Sequence, residues 1–220
     1  MSHALEDFWP PFGLTIGCGP LSLSPVRDTD LPELVALALA GIHAPSAMPF
    51  GFPWTDGSAD EVRLRFLQYH WAQRGAMKPE SWRLELTVRV AGEVVGCQGI
   101  STSDYPVTRT GETGSWLGLA HQGRGIGTLM RRTVAAFMFD QLGAAEVTSA
   151  AFLDNPASLA VSRKLGYAPN GVDRLRRREG ELALSQKLVL TADTLSRPEH
   201  PLTVDGVGPL REFLGLGPTA

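Results

Sequence analysis

The sequence predicts an α/β (α+β) fold, a single mixed and largely antiparallel sheet with helices on both of its faces. Three observations carry that expectation. Trp82 to Val90 alternates apolar and polar residues without a break, and Ala91-Gly92 turns the chain back into Glu93 to Ile100, which describes a hairpin of half-buried strands. Ile126, Met130, Val134 and Phe137 recur at helical spacing ahead of a stop at Gly143. The two periodicities then follow one another in the order β-α-α-β-β-β-α-β-α-β-β.

Along the chain, Leu14 to Ile16 and Leu21 to Leu23 read as a short opening strand or hairpin. Asp28-Thr29-Asp30 offers a helix N-cap, Pro32 suits the first turn, and Leu31 to Ile42 follows as a helix. His43 to Gly57 is a loop rich in proline and glycine. Its Met48, Phe50, Phe52 and Trp54 give it an apolar lining, which suits a loop tucked onto the core and a lid facing a substrate equally well. Asp60 to Arg74 is a second helix. Val62, Phe66 and Tyr69 mark one apolar row and Leu64, Leu67 and Trp71 another, so burial on two faces is expected.

After the central hairpin, Glu112 to Leu119 is a strand, Ile126 to Leu142 a helix and Val147 to Leu153 a strand. Pro156 to Leu165 is a short helix ended by Gly166, and Tyr167 onward with Glu181 to Leu190 makes a last pair of strands. From Thr191 the chain becomes rich in proline and glycine, with room for a short helix at Leu210 to Leu214. The expected organisation is an N-terminal extension over 1–12, one domain over 13–191, and a C-terminal extension over 192–220 packed on the domain or on a partner subunit.

Composition narrows the function classes. The 220 residues carry 20 Lys and Arg against 23 Asp and Glu, and a formal charge of −3 gives no electrostatic case for nucleic acid or an anionic membrane. The first eleven residues hold Glu6 and Asp7 and lack a basic segment followed by an apolar run, and Leu31 to Ile42 is too short to span a bilayer. A cytoplasmic location is therefore expected. Cys18 and Cys97 form neither a zinc spacing nor a disulfide framework, so both are expected reduced and packed, with no metal bound.

One segment points to chemistry. Gln122-Gly123-Arg124-Gly125-Ile126-Gly127 joins a strand to a helix. Its glycines let the backbone approach a ligand closely, and the helix start adds free N–H groups and a partial positive charge, a setting suited to a pyrophosphate. The loop has no lysine, which excludes the G-x-x-x-x-G-K-[ST] phosphate loop. Its place in mid-chain after antiparallel strands does not suit a dinucleotide fingerprint. Taken alone, such a loop also occurs as a tight turn with no ligand.

Its neighbours add to it. Glu112-Thr113-Gly114-Ser115-Trp116-Leu117, the loop, and Asn155-Pro156-Ala157-Ser158 running to Lys164-Leu165-Gly166-Tyr167 closely resemble the GNAT superfamily of N-acyltransferases. Within it they are similar to the branch that acetylates ribosomal-protein N-termini. The resemblance spans about Asp28 to Leu190 and implies a GNAT-like sheet with two central strands splayed around an acyl-CoA. It implies backbone hydrogen bonds to the pantetheine arm from Trp116, Leu117, Gly118 and Leu119. Gln122, Gly123, Arg124, Gly125, Ile126 and Gly127 would hold the pyrophosphate, with a hydroxyl contact from Thr128. Asn155 would bind the pantetheine amides, with Ser158 beside it. Arg124, Arg131 and Lys164 are candidates for the coenzyme's phosphates or plain solvated charges. The Arg174, Arg176, Arg177 and Arg178 cluster either faces water or recruits an acidic acceptor.

The implied reaction moves an acyl group from acyl-CoA to a primary amine by direct attack. Acetyl comes first, from acetyl-CoA, with succinyl from succinyl-CoA or another short acyl as alternatives. The acceptor is a protein N-terminus, a lysine or a small amine. Such attack needs a neutral amine, a polarised carbonyl and a stabilised thiolate. Glu112 is the candidate base, directly or through water, and its plain reading is a structural carboxylate; Asp104, Tyr105 and His121 are fallbacks. Many relatives have a tyrosine four residues before the L-G-F/Y glycine as the thiolate's acid, and this chain has Ser162 there, a weaker acid, with Tyr167 or water as alternatives. The rival reading is a non-catalytic acyl-CoA-binding regulatory protein. A homo-oligomer is left open.

Overall fold

The structure is a computed structural model and describes residues 3–217. β1 (Thr15–Cys18) and β2 (Leu21–Pro25) form the opening hairpin, followed by α1 (Leu31–Ala40) and α2 (Ala59–Gly75). β3 (Arg83–Val90), β4 (Glu93–Thr102), a four-residue helical turn α3 (Tyr105–Thr108) and β5 (Thr110–Leu117) come next. α4 (Ile126–Leu142), β6 (Glu146–Phe152), α5 (Pro156–Leu165), β7 (Ala168–Arg178) and β8 (Glu181–Leu190) complete the central part. β9 (Leu202–Asp205) and α6 (Val207–Phe213) lie in the C-terminal segment.

The strands form one nine-stranded sheet in the order β7-β8-β6-β5-β4-β3-β2-β1-β9. Only β5 and β6 pair in parallel among the described residues, because α4 carries the chain across the sheet between them. The sequence periods translate directly. Leu84, Leu86 and Val88 of β3 join Ile100, Leu117 and the buried side of α4 in the main core, where Val134 and Phe137 are fully enclosed. Burying each such side chain contributes about 1.5–3 kcal/mol. The alternate residues Arg83, Glu85 and Thr87 face the other side of the sheet. There a smaller cluster of Leu31, Leu34, Phe66, Val94 and Cys97 packs beneath α1 and α2. Cys18 and Cys97 are both free and buried.

Some expectations need correction. Asp30 stands at the N-cap of α1, but its side chain does not cap the helix. It turns back to accept from the Arg27 amide and the Thr87 hydroxyl and pairs with Arg89 at 2.8 Å. α2 buries one face only. Val62, Phe66 and His70 point inward and Leu67 packs partly against the same cluster, whereas Leu64 and Trp71 are 56% and 49% exposed. The cap of α2 is a Ser58–Glu61 box: the Ser58 hydroxyl accepts the Glu61 amide and the Glu61 carboxylate accepts the Ser58 amide. The C-terminal segment adds a strand the periodicity did not suggest, since β9 pairs with β1 over only four residues. α6 packs against the 3-10 turn Pro10–Gly13, with Phe213 edge-on to Trp9 at 5.2 Å. Where this segment passes α5, a Cβ at Gly166 (φ +100) would collide with the Thr194 carbonyl, so glycine is required there.

Candidate active site

β5 and β6 keep ladder contact only at Thr110↔Glu146, Gly111↔Val147 and Glu112↔Thr148. β5 continues to Leu117 and β6 to Phe152, so beyond Glu112 they diverge as a V. Side chains stitch its apex: the Thr113 hydroxyl donates to the Thr148 carbonyl at 3.3 Å and the Ser149 hydroxyl to the Thr113 carbonyl at 3.0 Å. With the Thr113 peptide facing β6, strand alternation turns the peptide groups of Ser115 and Leu117 into the V. The amides of Gly118 and Leu119 are already used, donating to the carbonyls of Val95 and Gly41. Trp116 sends its ring to the opposite side of the sheet, against Trp54 and Phe66.

At the open end of the V lies the glycine loop. Gly123 and Gly125 have φ of +72° and +82°, and space for a Cβ is empty at both. Gly125 caps α4 through its carbonyl, which accepts from Thr128 and Leu129. The amides of Ile126 and Gly127 are first-turn donors with no intrahelical partner. Gln122 does not reach outward: its side-chain amide donates to the Ile42 and Leu117 carbonyls at 2.8 and 2.9 Å and staples the loop to the sheet. Arg124 is exposed. Across the V, Asn155 caps α5 by accepting the Ser158 amide at 3.1 Å. Open donors at a helix start, with no side chain in the way, fit a pyrophosphate-bearing coenzyme.

Behind the apex sits a polar cluster. Arg131 is 7% exposed and donates to Ser149 at 3.3 Å and Ser162 at 3.0 Å, with its guanidinium over the Tyr167 ring. It has no carboxylate at ion-pair distance among the described residues, and burial pulls its pKa down. Ser162 accepts from Arg131 and donates to the Ser158 carbonyl at 3.0 Å, so its hydroxyl is committed on both sides. The Tyr167 hydroxyl lies 3.2 Å from that of Thr113. Tyr105 belongs to the core, Asp104 stands at the N-cap of the α3 turn with no side-chain capping bond, and buried His121 lies 3.7 Å from Glu93. None of these three lines the pocket described next. Lys164 is exposed at the end of α5.

On the other face of the sheet is a cavity of about 340 Å³. Its floor is three cross-strand rows: Arg83–Ser101–Glu112, then Glu85–Gly99–Gly114, then Cys97–Trp116. Its roof is α2, with Phe66, Tyr69 and His70, and the loop from Phe50 to Trp54. That loop is strapped down. Arg65 donates to the Trp54 and Asp56 carbonyls, His43 meets Thr55 at 2.8 Å, and Arg178 holds the Asp56 carboxylate at 2.8 and 3.1 Å. The arginine cluster therefore divides. Arg178 ties the lid and Arg177 pairs with Asp154 and Glu181, while Arg174 and Arg176 stay exposed.

Glu112 lines the cavity at the level of the apex. Glu85 and Arg83 were not singled out from the sequence, because alternation in β3 marked the polar row without saying what covers it; the sequence marks Tyr69 only as a member of an apolar row of α2, and His70 not at all. Tyr69 donates to Glu85 at 2.5 Å, and Cys97 approaches its other oxygen at 3.5 Å. Burial pushes the Glu85 carboxyl up, against the pull of Tyr69 and Arg83. Burial holds His70 down to about 4, so its ring is neutral near neutral pH.

A sheet opened at one parallel pair, with a glycine loop on one side and an aromatic pocket on the other, fits an acyl-CoA-dependent transferase. The chain belongs to the acetyltransferase (GNAT) domain family, whose profile matches residues 21–168. Similar solved structures include Mycobacterium smegmatis RimJ in complex with CoA-disulfide, with 18% identity, a TM-score of 0.67, and 86% of this chain and 91% of that one covered. RimL, a ribosomal-protein α-N-acetyltransferase in complex with coenzyme A, matches at 20% identity and a TM-score of 0.61, over 80% of this chain and 96% of its own. A Vibrio cholerae spermidine N-acetyltransferase in complex with CoA and spermine matches at 15% identity and a TM-score of 0.59, covering 80% and 98%. At these identities the structures share the fold. No helix among the described residues is long and apolar enough to cross a membrane, and none of their side chains cluster as a metal site.

Proposed function

We propose that the protein transfers a short acyl group, acetyl in the first place, from acyl-CoA to a primary amine by direct attack. The observation that carries this reading is the V between β5 and β6, because it joins the glycine-loop side of the sheet to the aromatic pocket on the other. The Ile126 and Gly127 amides hold the pyrophosphate and the Ser115 and Leu117 peptides the pantetheine arm, with Asn155 facing them. The thioester supplies the activated carbonyl. Glu112 takes a proton from the acceptor's ammonium, directly or through one water. The amine then forms the C–N bond as the C–S bond breaks, and the thiolate leaves with its electron pair toward the Arg131 cluster. Ser162 holds Arg131 in place there, and the second proton, which the nitrogen sheds once the C–N bond has formed, reaches the sulfur through water or the Ser158 hydroxyl.

Acetyl is favoured over succinyl because both arginines in the pocket are occupied, Arg65 by loop carbonyls and Arg83 by Tyr69 at 3.2 Å. Acceptors of the similar enzymes, a ribosomal protein and spermidine, support a primary amine. Two free cysteines suit a reducing cytoplasm. A thermal-shift panel of acetyl-CoA, succinyl-CoA, NAD and ATP, paired with amine-dependent release of the coenzyme's free thiol, tests the reading. Acetyl-CoA alone should stabilise strongly and release thiol when an amine is added. Stabilisation with no thiol released by any peptide or small amine would instead favour a coenzyme-binding regulator.

A further inference from the structure

The middle row of the pocket floor is unlike the other two. Glu85, Gly99 and Gly114 lie opposite one another on three adjacent strands, so side chains are missing from two consecutive positions and a trench runs across the sheet. Its open end, Gly114, is two residues beyond the last β5–β6 pair, inside the V. Its closed end is the Glu85 carboxylate. A Cβ at Gly99 would stand 2.8 Å from a Glu85 oxygen, so glycine is what lets the carboxylate lie over β4. At Gly114 the space above is empty. The trench is therefore shaped for an extended ligand that enters beside the thioester and ends at Glu85.

The charges around it favour a cation at that end. Two arginines face the pocket, and both are engaged: Arg83 donates to the Tyr69 hydroxyl rather than to Glu85, and Arg65 donates to the Trp54 and Asp56 carbonyls. His70 on α2 is neutral, and Cys97 on β4 stays protonated because burial raises its pKa. Glu85 and Glu112 are the two carboxylates of the pocket, and neither has a salt bridge among the described residues. Each Glu85 oxygen keeps a lone pair beyond its one hydrogen bond. The rings of Phe66 and Trp116 add faces that attract a cation.

We propose that Glu85 determines the acceptor by binding a second protonated nitrogen, so that the pocket takes alkyl diamines with the reacting amine at Gly114 and the other nitrogen against the Glu85 carboxylate that lies over Gly99. The proposal rests on the acyl-transfer reading of this pocket and adds the substrate class to it. One strand spacing of about 4.8 Å separates the two positions, which a chain of about three or four carbons spans. Two carboxylates then serve two nitrogens, Glu112 the reacting one and Glu85 the anchoring one.

The test compares 1,4-diaminobutane with butylamine, and with a dipeptide amide, as acceptors for acetyl-CoA. In the wild-type protein kcat/KM should favour the diamine over butylamine by about tenfold or more, as expected for one charge-assisted contact in a partly desolvated site. In Glu85→Gln that ratio should fall close to one. Comparing diamines of two, four and eight carbons in the wild type needs no variant, and efficiency should peak near four. Calorimetric titration of 1,4-diaminobutane into the protein–CoA complex separates this claim from turnover. Diamine binding that Glu85→Gln abolishes supports the anchor even if no amine is acylated. Equal efficiency for butylamine and the diamine in the wild type, a preferred dipeptide, or a ratio unmoved by Glu85→Gln would each overturn it.

Discussion

In the proposed function the two faces of the central sheet hold the two halves of the site, and they are built on different principles. On the α4 face the coenzyme half is made mostly of backbone: a glycine loop, two free helix amides and the peptide groups of a strand that has lost its neighbour. On the α1–α2 face the acceptor half is made of side chains that come from five separate segments, among them Trp54, Tyr69, Glu85 and Glu112. A backbone site needs glycines at fixed local spacing, so it leaves a signature within six residues. A side-chain site is assembled by packing and leaves none.

The largest expected effect lies where the faces meet. Glu112→Gln removes a proton acceptor and nearly keeps the shape, so kcat at neutral pH should fall about 10²- to 10⁴-fold while acetyl-CoA affinity stays within twofold or so. A kcat that is unchanged at every pH would mean that the amine loses its proton to solvent, and the carboxylate would then belong to the floor only.

On the coenzyme face, Gly125→Val puts a β-branched residue at φ +82° in the loop. CoA affinity should weaken about tenfold or more, which is about 1.4 kcal/mol, with the acceptor KM little changed. Calorimetry on the folded variant reads this directly, and wild-type affinity would remove the loop from the site.

On the acceptor face, Trp54→Ala should do the reverse. The Trp54 ring packs on Phe50, Phe66 and Trp116, whereas its carbonyl, which holds Arg65, is kept by the variant. The acceptor KM should rise about threefold to tenfold, the worth of a partly lost apolar wall, and the acetyl-CoA KM should stay put. If both constants move together, the two halves are not separable as described.

The smallest effect expected is at Ser162. Its hydroxyl positions Arg131 and does not face the V, so Ser162→Ala should cost about one hydrogen bond, 0.5–1.5 kcal/mol, or about 2- to 13-fold in kcat. Ser162→Thr, which keeps a hydroxyl, should recover most of it. A greater loss than for Glu112→Gln would return Ser162 to the role of proton donor.

The same contrast explains what could be read in the sequence. α4, α5 and β8 end where the periodicity and the glycines at 143 and 166 end them. The hairpin turn at Ala91-Gly92 has positive φ at both residues, as its sequence implies. Glu85 stayed hidden because period two says which residues share a face and not whether a helix lies over it. The outer row of α2 misled for the matching reason: Leu64 and Trp71 sit at helical spacing, but about half of each stays open to solvent. Asp30 was legible as a cap position and illegible as a partner of Arg89, whose β-strand lies 59 residues on.

The most direct test of the account is a crystal structure of the protein with coenzyme A. The pyrophosphate should lie on the amides of Ile126 and Gly127, the pantetheine arm should run between β5 and β6 along Ser115 and Leu117, and the sulfur should end near Gly114 beside Glu112. Coenzyme bound in the aromatic pocket under Trp54, or a V closed by β5–β6 pairing beyond Glu112 with the coenzyme elsewhere, would contradict it.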